Sequence, residues 1–133
     1  MNLSVTNAGK TLHGVTADQA RVAGFPEASI NIALVDARRK AVNVECRRRI
    51  YAIASAETQL NLTAATARIA ATAHEDRTAD DLLTLAGASA AIGWVETMRR
   101  QVSLLAEDPG AVFRDDAAWP DLPAEAQAAI DHF

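Results

Sequence analysis

Between Pro26 and Ala73 the chain holds neither a glycine nor a further proline. No other feature constrains the fold as much. Without those two breakers, a run of that length rich in alanine and arginine is predicted to be helix. Its apolar residues recur at Ile32, Val35, Val42, Cys46, Ile50, Ile53, Leu60, Ala64 and Ala67, mostly in steps of three, four or seven. That spacing lays them along one helix face. Arg39 and Glu57 interrupt the stripe. The β-branched and amide residues from Thr58 to Thr63 weaken it, which predicts either one long helix or two, over about 30–56 and 62–73.

A second helix is predicted from Thr78, with Asp80 and Asp81 in its first turn and a capping-box arrangement in which Asp81 replaces the usual Glu. Its stripe is Leu82, Leu85, Ala88, Ile92, Val95, Met98, Val102 and Leu105, and Glu107-Asp108-Pro109-Gly110 ends it. A short helix from Thr16 should stop at Gly24, with Pro26 as a first helical residue of the next. Another short helix, Ala124 to Ile130, follows Pro123. Phe113 and Trp119 anchor the loop between. Residues 1–15 alternate Leu3 and Val5 with polar neighbours and turn at Asn7-Ala8-Gly9, reading as an extended arm or a two-strand edge. The expected fold class is therefore all-α, a long helical hairpin or small bundle over residues 16–133 with an extended N-terminal arm over 1–15.

The core should be alanine-rich. Half of the 133 residues are apolar and only 5% are aromatic. Alanine lets helices approach closely but buries little area, so a partner surface would help such a chain. Charge points the same way. Residues 1–70 carry nine Lys/Arg and five Asp/Glu, whereas residues 71–133 carry four and twelve. Opposite halves favour folding back or head-to-tail packing between copies. No stretch reaches the roughly 18 apolar residues of a membrane span. The N-terminus lacks the basic start and apolar run of a signal peptide, so the cytoplasm, or a particle assembled there, is expected.

Few residues invite chemistry. Cys46 lies in the apolar stripe, and no histidine among His13, His74 and His132 is placed near it, so a buried structural thiol is expected in place of a nucleophile. Zinc spacing, calcium loops and glycine-rich phosphate motifs do not occur. The acidic pairs fall at helix starts or in loops, where capping explains them. No catalytic residue, metal ligand or cofactor site is assigned, and the chain is not expected to be an enzyme. The basic cluster Arg38, Arg39, Lys40, Arg47, Arg48 and Arg49 could grip phosphates. Three consecutive arginines fan around a helix, however, and the chain is acidic, so a solvated face or pairing with the acidic second half is favoured over nucleic acid. Gly87 and Gly93 sit in a small-residue stretch that permits close approach, either by a neighbouring helix of the chain or by another copy. Trp94 and Trp119 are the large anchors, at the core rim or at an interface. The candidate contact residues are thus Leu3, Val5, Leu12, Gly87, Gly93, Trp94 and Trp119, with Arg38, Arg39, Arg47, Arg48 and Arg49 as electrostatic contacts.

The stretch from Cys46 to Leu62 (CRRRIYAIASAETQLNL), the later Ile92–Arg99 (IGWVETMR) and the DDAAWP of 115–120 resemble segments of small virion-associated proteins of tailed bacteriophages and prophages, chiefly of alphaproteobacteria. The resemblance spans roughly residues 40–120 and leaves the N-terminal arm outside. It implies a tail-tip, baseplate or tail-fibre component, encoded near tail genes, found in the virion and partnered by its own copies and by other tail proteins. The alternatives kept open are a transient tail-fibre assembly chaperone and a small nucleic-acid-binding regulator using Arg47–Arg49.

Overall fold

The computed structural model describes all residues, 1–133, and is mostly helical. Strands β1 (Leu3–Asn7) and β2 (Lys10–Val15) are followed by helices α1 (Ala17–Val22), α2 (Glu27–Ile53), α3 (Ala56–Ala70), α4 (Ala79–Glu107) and α5 (Ala124–His132). The two strands pair antiparallel, so the all-α expectation is corrected: a small two-stranded sheet opens the chain. Ala8 and Gly9 both take positive φ, as a tight two-residue hairpin turn requires. The register slips between Leu3 and Ser4, opposite Gly14, whose φ of +67 accommodates the bulge. The period of two sends Leu3 and Val5 inward. On the outer face Ser4 meets His13 and Thr6 meets Thr11.

Thr16 starts α1 with a reciprocal box, accepting from the Gln19 N–H while Gln19 Oε1 accepts from the Thr16 N–H at 2.9 Å. Pro26 stands one position outside α2 and not inside it. The break after α2 falls at Ala54-Ser55, ahead of the weak stretch. Ser55 caps α3 by accepting from the Thr58 N–H at 3.1 Å. The stretch Thr58–Thr63 is helical. The Thr63 and Thr66 hydroxyls donate to carbonyls one turn back, which satisfies them within the helix. Thr78 and Asp81 form the expected box at the start of α4.

Helix α2 is the spine of the molecule, and it buries nearly opposite faces along its length. At about 100° per residue, Ile30 and Ala33 point one way, and Val42, Cys46 and Ile50 point the other. The first pair joins Leu3, Val5 and Ala20 in a small core beneath the hairpin. The second set packs against Trp94, Met98, Val102 and Leu105 of α4, with Trp119 closing the cluster. Helices α2 and α4 run antiparallel, and α4 ends level with Arg38 and Arg39. The first 11 residues of α2, Glu27–Ala37, therefore extend beyond it. The return segment 108–123 runs back along α4. Trp94 Nε1 donates to the Pro120 carbonyl at 3.1 Å, Gln101 to Ala118 at 2.8 Å, and Trp119 Nε1 to Phe113 at 2.7 Å.

Candidate docking surfaces

The residues read from the sequence as outward contacts divide sharply. Leu3 is 1% exposed and Val5 is fully buried, so the apolar face of the N-terminal segment is used inside the molecule; Leu12 on β2 is half-buried. The arm is a hairpin folded onto α1 and α2. Trp94 and Trp119 are buried in the larger core. Gly87 is the site of a close approach within the chain. A Cβ there would stand 2.4 Å from Cβ of Ala129 and 2.6 Å from the carbonyl oxygen of Glu125, both on α5. Gly93 has open space around it.

The basic cluster is directed largely at this chain's own acceptors. Arg38 donates through Nε to the Leu105 carbonyl at 2.8 Å and through Nη2 to that of Ala111 at 2.6 Å, with its plane over Phe113. It thereby fixes the last turn of α4 and the start of the return segment. Arg39 reaches Glu107 at 4.0 Å. Arg48 and Arg49 both hold the buried Glu45, at 2.6 and 2.8 Å, and Arg49 continues to Asp116 and the Arg114 carbonyl. The Arg48 hydrogen bonds, with help from Arg49, outweigh burial and bring the Glu45 carboxyl from the ordinary 4.5 down to about 2. Arg47 lies over the Tyr51 ring, toward solvent. At the other end of the molecule Asp81 is held below its usual range, first by the Thr78 backbone N–H and then by Arg68 from α3. Burial pushes the Cys46 thiol up, and no three His, Cys, Asp or Glu side chains converge where a metal ion could sit. No helix is long and apolar enough to cross a membrane.

Two apolar surfaces that the sequence reading placed in the core are uncovered. The first is a groove of about 570 Å³ between α3 and α4, bounded by Leu62 on one side and by Leu85, Ala88, Ile92 and Val95 on the other. Only Ile69 of α3 is fully buried, so this helix touches α4 at its C-terminal end and leaves the groove open toward its N-terminal end. Ile92 is 63% exposed there. Arg99 and Glu96 both line the groove; Glu96 pairs with Arg100 at 3.7 Å, and Arg99 forms no ion pair within the chain. The second surface is on the projecting end of α2, where Ile32 and Val35 are 72% and 43% exposed. They lie on the same stripe as Val42, Cys46 and Ile50, but beyond the end of the α4 that covers those three. No signal in the spacing marks either surface: α2 and α4 are of similar length, and the stripe of each continues past the end of its partner because the two helices pack offset.

The chain matches no protein-family model and no curated protein.

Proposed function

We propose that this protein is a structural or adaptor component of a bacteriophage tail, at the tail tip, baseplate or fibre, and that it acts through contacts between polypeptides. The observation that carries the reading is the pair of uncovered apolar surfaces, the α3–α4 groove and the Ile32–Val35 end of α2. Both are bounded by polar residues, as protein-binding patches are. The resemblance of residues 40–120 to small virion-associated proteins supplies the setting. Quantitative mass spectrometry of purified particles tests it. A fixed copy number per virion is expected, and a protein missing from intact particles yet needed for fibre attachment would instead be a transient assembly chaperone. The nucleic-acid reading has no comparable support, because Arg38, Arg48 and Arg49 already hold internal acceptors.

A further inference from the structure

We infer that the α3–α4 groove is the seat of a basic amphipathic helix carried by a different protein. The inference rests on the reading that this chain works through polypeptide contacts, and it names the class of partner and the surface that takes it.

The groove reaches into the interior. Ile50, Ala54, Ala88, Trp94 and Ile130 lie along its lining, and each is 9% exposed or less. Leu62 of α3 stands half-buried on one side, and Ile92 of α4 stays 63% exposed on the other. The α4 wall from Leu85 to Arg99 spans roughly 21 Å at 1.5 Å per residue, about four helical turns. An apolar trough of that length between helices receives a helix through anchors one and two turns apart.

Charge sets the sign of the occupant. Residues 54–99 and 121–133, the end of the molecule that holds the groove, carry nine Asp/Glu against three Lys/Arg. Folding leaves much of that excess uncompensated. Glu57 lies in the first turn of α3, beside the groove-lining Thr58, and Asp80 in the first turn of α4. Glu75 and Asp76 lie in the turn between the two helices. None of these four carboxylates has an ion pair or a side-chain hydrogen bond, since Arg68 is taken by Asp81 and Arg100 by Glu96. Arg99, the one cation in the lining, stands at the end of the α4 wall.

A second copy of this chain has little to bring to such a site. Of the six basic residues on α2, five hold partners within the chain, and only Arg47 has neither a hydrogen bond nor an ion pair. Two groove ends repel each other. The complement is therefore a helix of another protein, with an apolar stripe for the trough and Lys or Arg on its flanks for the acids at both ends of α3.

Fluorescence anisotropy of a labelled model peptide with the full chain tests the inference. The peptide is a helix as long as the α4 wall, with leucine along one face and lysine over the rest. Micromolar binding that weakens with salt is expected. Ile92→Gln and Leu62→Gln should each weaken it about tenfold, the loss of one apolar anchor. Glu57→Gln combined with Asp80→Asn should weaken it several-fold and flatten its salt dependence. Ile32→Gln, on the other uncovered surface, should bind as the wild type does. A scrambled peptide of the same composition, and one with glutamate in place of lysine, should each bind at least about tenfold more weakly. Circular dichroism and thermal melting check folding, and Ile92→Gln carries the test if Leu62→Gln does not fold. Absence of binding into the millimolar range, equal binding of either control peptide, wild-type affinity in Ile92→Gln or in the Glu57–Asp80 double variant, or an equal loss in Ile32→Gln overturns the inference. Groove binding by a protein absent from virions would remove the tail reading and leave this one standing. A virion component that fails to bind the peptide would remove this one alone.

Discussion

Two glycines in the same helix do opposite things, and each sets a different expectation. At Gly87 the α5 backbone occupies the space a side chain would need, so Gly87→Ala forces α5 away and should cost about 1–3 kcal/mol, as overpacking does. At Gly93 nothing stands within 4 Å, so Gly93→Ala should stabilise by up to about 1 kcal/mol through helix propensity alone. Urea denaturation of the two variants checks the opposite signs. Glu45 sets the second residue-scale expectation. Its folded pKa of about 2 lies below the ordinary 4.5, so the stability it contributes is complete above 4.5 and is lost as pH falls from there toward 2. Glu45→Gln should flatten that acid limb of a stability–pH curve; an unchanged limb would mean that other carboxylates produce it. The role of Gly87 was not legible in the sequence, because the stretch around it announced close approach but not the approaching helix, which the return segment brings back as α5. Glu45 is held by Arg48 and Arg49, three and four residues along its own helix, a spacing that helix geometry alone brings together; its burial is what the sequence left unread.

Helix ends were the most legible elements, because capping is written in neighbouring residues. Thr78 with Asp81 forms the box that its spacing predicts, and Thr16, read as a cap, completes a box with Gln19 as well. The sequence left open one long helix or two, and the break, which is real, falls ahead of the stretch where it was sought. β-branched and amide residues only weaken a helix, while Ser55 offers an oxygen that satisfies an orphan N–H, and the cap determined the position. Ser55→Ala should therefore cost about 0.5–2 kcal/mol, visible as a lower denaturation midpoint and faster amide exchange over Glu57–Gln59. Arg38 terminates α4 in a way no local pattern could indicate, since its acceptors lie 67 and 73 residues away. Arg38→Lys should destabilise nearly as much as Arg38→Ala, by about 1–3 kcal/mol. A single ammonium cannot bridge two carbonyls as the planar guanidinium does. Full stability of Arg38→Lys in guanidinium titration would show that one of the two bonds suffices.

The molecule as a whole has two cores on one spine, and they should open separately. Ile30→Ala removes the centre of the smaller core, at a cost of about 2–4 kcal/mol. It should raise amide exchange across Leu3–Val15 and α1 while leaving α4 and α5 protected. Equal loss of protection everywhere would make the two cores one cooperative unit. By itself the sequence determined the helical run, its caps, the turn at Asn7-Ala8-Gly9 and the asymmetry of charge, all set by propensity and hydrogen bonding over a few residues. The tertiary structure decided which side of each stripe is covered. Periodicity marks an apolar face but says nothing of how far its partner extends. Because α4 ends level with Arg39, the stripe of α2 runs from core to open surface without changing its spacing. Because the hairpin takes the opposite face of the same helix, the segment expected to project is packed down, and the end of α2 projects in its place.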